Sequence, residues 1–243
     1  MYFLFSGEGA TDLGSGSPGP EIAEGSDFLP GPMADFADRI VEARHGYSFL
    51  ESGSCGFISE RTVAARGRDL KAARKSMALP GVKVPIETRY FFNTARLLAR
   101  FANEKARDRR EDVVAVLFRD SDGTASAGRG EWRDKRQSML DGFAHEGLKR
   151  GVPMIPKPKS EAWLICALKD QPYQNCGLLE DRSGNDNSPH SLKRELQALL
   201  GGEPATRKLL RDKIADGQIN CLRIAMPSFQ EFRERLEAVS AKE

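Results

Sequence analysis

The chain has 243 residues, 40% of them hydrophobic and 30% charged, with a formal net charge of +2. That length suits one α/β domain with an appendage, and it buries a core without disulfide or metal staples. No apolar run approaches the roughly 20 residues that cross a bilayer. The opening Met-Tyr-Phe-Leu-Phe lacks a basic flank and runs into Gly-rich sequence, so it reads as a first strand rather than a signal peptide, and a cytoplasmic setting is expected.

Residues 2–6 form an apolar run ending in the turn Ser6-Gly7-Glu8-Gly9, and the Gly, Pro and Ser that follow, as far as Pro32, predict a long loop. Met33, Phe36, Ile40 and Val41 recur at helical spacing and predict a helix over 33–44, with a short strand at 47–50. Glycines 53, 56, 67 and 81 punctuate residues 53–81, which read as a mobile basic insertion. Phe91, Phe92, Ala95, Leu98, Ala99, Ala102 and Ala106 give a helix over 88–107 its apolar face, while Arg89, Arg96, Arg100 and Arg107 line another. Val113–Phe118 is continuously apolar and β-branched, as in a parallel strand buried on both faces. A helix over 130–150, a strand over 152–155 and a helix over 160–169 with Ser160 as N-cap follow. Residues 175–189 read as a loop, and short helices are expected over 192–200, 205–215 and 228–239. Strands alternating with helices predict a parallel α/β sheet over residues 1–170 and a helical C-terminal extension over 171–243.

Charge is unevenly placed. No Lys or Arg precedes Arg39, whereas seven acids do: Glu8, Asp12, Glu21, Glu24, Asp27, Asp35 and Asp38. Residues 61–110 carry fourteen Lys or Arg against four acids. A block this basic either attracts phosphates or forms a solvated face. Cys55, Cys166, Cys176 and Cys221 have no zinc or redox spacing and are expected as free thiols. His45, His145 and His190 form no triad or ligand pattern.

In a parallel α/β sheet, ligands bind beyond the carboxyl ends of the strands. Glu8 follows the first strand there, and Asp120 and Asp122 follow Val113–Phe118. If the two strands are neighbours, these carboxylates converge, and a hard cation such as Mg²⁺ or Mn²⁺ is their natural occupant. Such an ion suits phosphoryl transfer to water. Asp12 is a candidate outer ligand. Glu161, at the start of a helix after a later strand, is either a further site acid or a favourable charge in the first helical turn. Lys157 and Lys159 are either phosphate neutralisers or surface lysines.

The strand followed by Ser-Gly-Glu8-Gly-Ala-Thr-Asp12, then a strand followed by Asp120-Ser-Asp122-Gly, resembles the TOPRIM domain of topoisomerases, bacterial primases, recombination mediators and OLD-family nucleases. Lys-Pro-Lys-Ser-Glu161-Ala-Trp-Leu is similar to segments of the small stand-alone members. The resemblance implies a TOPRIM-like sheet flanked by helices, with Glu8 as acid/base and Asp120 and Asp122 as the metal pair. It also implies a nuclease acting on DNA or RNA, of the kind that serves anti-phage defence beside a partner ATPase, as a possible homo-oligomer. No tyrosine is assignable as a topoisomerase nucleophile and no zinc module is present, which leaves nuclease.

Three other readings are weighed beside it. The chain is a non-catalytic TOPRIM module regulating an ATPase, or a haloacid-dehalogenase-like phosphohydrolase using Asp120 of Asp120-Ser-Asp122-Gly-Thr124 as nucleophile. Nucleotide binding by the Gly-rich segment 7–19 fails, because neither GxGxxG nor GxxxxGK[ST] occurs and the acids there repel phosphate.

Overall fold

A computed structural model describes residues 1–74, 88–121 and 131–241. The chain opens with β1 (Tyr2–Gly7), followed by three short strands, β2 (Gly14–Gly16), β3 (Ala23–Glu24) and β4 (Phe28–Pro30). Helix α1 (Pro32–His45) starts at a proline, whose fixed φ suits the first turn, and stops at Gly46 in the left-handed region. Next come β5 (Cys55–Phe57), α2 (Glu60–Arg74), α3 (Arg89–Arg109) and β6 (Val113–Phe118). The rest is α4 (Trp132–His145), β7 (Gly151–Met154), α5 (Ser160–Leu168), α6 (Leu192–Leu199), α7 (Arg207–Ala215) and α8 (Pro227–Ser240).

The main sheet has the order β3-β5-β1-β6-β7. β1 lies parallel to β5 and β6, β6 lies parallel to β7, and only the two-residue β3 runs antiparallel, at one edge. The fold is therefore α/β, with a mixed but mostly parallel sheet flanked by helices. Alternation along the strands divides the core into two layers. Phe3, Phe5, Val114, Val116 and Phe118 face α1, α5 and α8. Tyr2, Leu4, Val113, Ala115 and Leu117 face α3 and α4. Phe229, Phe232 and Leu236 of α8, with Leu192 and Leu196 of α6, share one core with β1. Arg235 on α8 donates to the carbonyls of Gly151 (2.9 Å) and Lys149 (2.6 Å), covering the outer edge at β7. Among the described residues, no helix is long and apolar enough to cross a membrane.

Several expectations need correcting. The long loop predicted up to Pro32 contains a single π-helical turn at Gly9–Leu13, and β2 pairs antiparallel with β4. Strands of two or three residues are too short to show period-2 patterning. Residues 47–50 form no strand; the strand is Cys55–Phe57, whose central Gly56 hid it. There β5 lies beside β1, and α2 follows from Glu60, so residues 55–74 belong to the fold rather than to an excursion. The end of the predicted insertion, 75–81, lies outside the described residues. The cysteines are not all free. Cys166 and Cys176 form a disulfide, while Cys55 and Cys221 are buried thiols. The chain reverses just after α5, where the Tyr173 N–H donates to the Cys166 carbonyl (2.7 Å), and this brings the two Cα atoms to 5.3 Å.

Helices α3 and α4 meet at Gly142, where a Cβ would land on the Phe92 carbonyl oxygen. Alanine is a better helix former than glycine by about 1 kcal/mol, so any loss on Gly142→Ala isolates the packing. We expect that variant to lose about 1–3 kcal/mol, and thermal unfolding to move down by about 2–4 °C for each kcal/mol in a chain of this length. An unchanged or raised melting temperature would refute the close approach.

Candidate active site

The pairing of β1 with β6 builds the site. Gly7 lies opposite Phe118 in the parallel register. Continuing one step, Glu8 falls beside Arg119, and both side chains leave the sheet on the α2/α3 side. The Arg119 Nη2 meets Glu8 Oε2 at 3.2 Å. Its Nη1 donates to Glu60 Oε1 and to the Tyr90 hydroxyl, each at 2.7 Å, and Tyr90 in turn donates to Glu60 at 3.0 Å. Arg119 itself is buried. Beyond β6 the backbone stays zipped to the end of β7: Arg119 N–H donates to Met154 O (3.0 Å) and Ser121 N–H to Pro156 O (3.1 Å). The intervening Asp120 N–H points the other way and donates to Glu8 Oε1 at 3.1 Å.

The Asp120 side chain leaves on the opposite face, toward the start of α5. The Ser160 N–H, one of the free donors of the first helical turn, reaches Asp120 Oδ1 at 2.9 Å. The Ser160 hydroxyl donates to Asp12 Oδ1 at 2.6 Å and lies 3.5 Å from Glu161 Oε2. Its single proton goes to the nearer acid. Lys159 is the N-cap residue of α5, so the predicted N-cap Ser160 is instead a bridge between two acids. Asp12 arrives from the Gly9–Leu13 turn, and the Arg207 guanidinium on α7 holds that turn through Ala10 O (2.6 Å) and Ser15 Oγ (2.9 Å). Beside Ser121, the buried Lys135 donates to its carbonyl at 2.6 Å.

Burial here raises the proton affinity of each acid. Desolvation lifts Asp120 well above the ordinary aspartate range, and the charges of Glu161, Asp12 and Glu8 add to it against the Ser160 N–H. Burial raises Asp12, with the Ser160 hydroxyl and Lys159 opposing. Burial raises Glu161, helped by the Asp12 charge. Glu8 is raised by burial despite Arg119, whose charge is shared with Glu60. Burial works against the charge on Lys159, but its hydrogen bond to Asp186 and the nearby Glu161 and Asp120 raise its proton affinity on balance.

The structure thus brings Asp12, Asp120 and Glu161 around Ser160, with Glu8 tied to the Asp120 backbone and Lys159 adjacent. Asp122 lies outside the described residues. Among the described residues, no three acids, histidines or cysteines lie close enough together to hold a metal ion. Side-chain alternation sends Glu8 and Asp120 to opposite faces, so the predicted convergence of Glu8 with Asp120 on one ion is not seen. Sequence reasoning missed Arg119, Glu60, Tyr90 and Ser160 as site residues. Arg119 was legible, since the odd positions of β6 continue into it; Glu60 and Tyr90 arrive through tertiary packing alone. Comparison of the chain with protein-family models, with curated proteins and with solved structures gave no match.

An acid whose proton affinity rises on folding contributes stability that is complete below its unfolded pKa and lost as pH rises through the folded one. Asp120 is raised, so the protein is expected to lose stability through this group as pH rises above the ordinary aspartate pKa of about 4. Asp120→Asn keeps the acceptor for Ser160 N–H and removes the charge. The variant should melt above wild type at neutral and mildly alkaline pH, with the difference closing as pH falls toward the ordinary aspartate range. Equal melting at all these pH values would refute the raised proton affinity.

Proposed function

We propose that the chain is a metal-dependent phosphodiester hydrolase of the TOPRIM kind, a nuclease acting on DNA or RNA with Mg²⁺ or Mn²⁺. The observation that carries this reading is the bridge at Ser160. One residue holds Asp12 and Asp120 beside Glu161 at the carboxyl ends of the parallel strands, where burial raises the proton affinity of all three and the charges of Glu161 and Asp12 raise that of Asp120 further. All these donors are carboxylate oxygens, the chemistry a hard divalent cation takes. Asp12, Asp120 and Glu161 would hold the ion, and a complete set draws on Asp122 or on a side-chain shift. When bound, such an ion polarises a phosphate and lowers the pKa of water.

The chain's own residues supply the remaining parts. Glu8, with its proton affinity raised, is the acid/base, and its two oxygens are oriented by the Asp120 N–H and by Arg119. Arg119 is a positioning residue, fixed from behind by Glu60 and Tyr90. Lys159 offers a cation for a phosphate oxygen at the rim. By the same resemblance, the chain is a defence effector restrained by a partner ATPase.

The test is cleavage of plasmid DNA and bulk RNA with Mg²⁺ or Mn²⁺, with and without a candidate partner ATPase. Wild type is expected to cut. Glu8→Ala should lose about 10²-fold or more, the range of general acid–base catalysis, and Asp120→Ala should abolish metal-dependent cutting while remaining folded by circular dichroism. Cutting that survives both substitutions would remove this site from the chemistry. Absence of cutting under every condition would favour a non-catalytic partner module.

A further inference from the structure

Between α5 and α6 the chain makes a polar excursion that passes over the rim of the site. It is anchored at one end by the Cys166–Cys176 disulfide and the following 3-10 turn, Cys176–Asp181. The Glu180 carboxylate fixes that turn by accepting the Ser228 N–H at 2.7 Å. At the other end Arg182 pairs with Glu195 and donates to His190 O (2.7 Å), and Ser191 caps α6 by accepting the Arg194 N–H. The middle is built from local polar turns: Asn185 N–H to Ser183 Oγ, Asn187 N–H to Asn185 Oδ1, and His190 N–H to Ser188 Oγ. Asn185, Asp186 and Asn187 are exposed.

From this strap, two acids reach the lysines that flank the site. Asp186 Oδ1 accepts from Lys159 Nζ at 2.8 Å, and Asp181 Oδ1 lies 3.7 Å from Lys157 Nζ. The Lys159 side chain is only 14% exposed, whereas its partner Asp186 is 49% exposed. The lysine is therefore set into the site wall, and the carboxylate comes to it from the solvent side. A carboxylate oxygen on a lysine ammonium has the charge and hydrogen-bonding of a phosphate oxygen. Ion pairs with an exposed partner are individually weak, so exchange of one anion for another costs little.

We propose that residues 181–186 form a phosphate-mimicking strap, in which Asp186 on Lys159, and more loosely Asp181 on Lys157, hold the places of phosphate oxygens of the ligand. Lys159 is then the anion subsite, Asp186 its internal competitor, and binding requires the strap to lift. This deepens the nuclease reading by naming the substrate's phosphate contact, and it rests on that reading only for the identity of the phosphate as part of a nucleic acid.

The experiment measures binding, so it does not depend on catalysis. Affinities of the full chain for inorganic pyrophosphate and for a phosphorothioate oligonucleotide are compared between wild type, Asp186→Asn, Lys159→Gln and the double variant, without divalent metal. Asp216→Asn, an exposed acid at the end of α7, controls for net charge. Asp186→Asn should tighten pyrophosphate by about three- to tenfold beyond the control, Lys159→Gln should weaken it, and in the double variant the gain should vanish. Tightening for both probes supports the strap and the nucleic-acid substrate together. Tightening for pyrophosphate with no oligonucleotide binding keeps the strap and overturns the nuclease reading. No difference between Asp186→Asn and Asp216→Asn, or a gain that survives loss of Lys159, overturns the strap.

Discussion

The parallel register of β1 against β6 is the constraint on which the site depends. Gly7 lies so close to Phe118 that a Cβ there would meet the Phe118 carbonyl oxygen. A strand shifted by one residue would send Phe3 and Phe5 into the opposite core layer and turn Glu8 away from the Arg119 face. With the register fixed, Glu8 shares a face with Arg119, while Asp120 faces α5. One peptide group, the Asp120 N–H, then links the two halves by donating to Glu8. Two clusters of acids, one on each face of the sheet end, follow directly from period-2 alternation.

The separation of charge along the sequence has a different meaning from the one it suggests. Acids near the start meet bases of the following block within the fold: Arg66 meets Glu21 at 3.1 Å, Lys105 meets Glu24 at 2.7 Å and Arg109 meets Glu24 at 3.6 Å. Arg211 on α7 holds the buried Asp35 through two hydrogen bonds. Within the arginine row on α3, Arg96 and Arg100 both face Glu146, and Asn103 donates to the Glu146 carbonyl. Most of these pairs are partly exposed and individually weak. Their effect is to give Arg66, Arg96, Arg100, Lys105 and Arg109 of the basic block partners within the fold, while Lys157, Lys159 and Arg207 are the cations near the carboxylates.

The long periodic elements were legible because their burial is written in their composition. The apolar run Val113–Phe118 is buried along its whole length, and the apolar face of α3 is core. Both acidic motifs could be placed at strand ends for the same reason. The β5 strand escaped notice because Gly56 allows Tyr2 of β1 to pack against it; a side chain there would meet the Tyr2 hydroxyl. Ser160 looked like a helix cap because a serine before Glu161 fits that pattern, whereas its partner Asp12 is 148 residues away. Glu60 and Tyr90 lie 30 residues apart and meet each other and Arg119 only in the folded chain. Long-range polar partners leave no periodic trace.

What remains to be explained is why so many acids are desolvated at one point. Asp12, Asp120 and Glu161 all lose hydration there, and all are pushed toward the protonated form. Asn or Gln of the same shape would keep the acceptor oxygens for the Ser160 N–H and hydroxyl without the mutual repulsion, so the folded state gains nothing from the charges themselves. Arg119, by contrast, has an ordinary structural justification, since two carboxylates and a tyrosine surround it and the Tyr90 ring lies 4.2 Å from its guanidinium carbon. Ion pairing therefore accounts for the burial of Arg119, whereas Glu8 is pushed toward the protonated form in spite of that pair, as the acids on the Asp120 side are. Sites that carry function are where local stability is given up. The Asp12–Asp120–Glu161 group is thus the place where carboxylates are desolvated without a cation paired to them as closely as Arg119 is to Glu8 and Glu60.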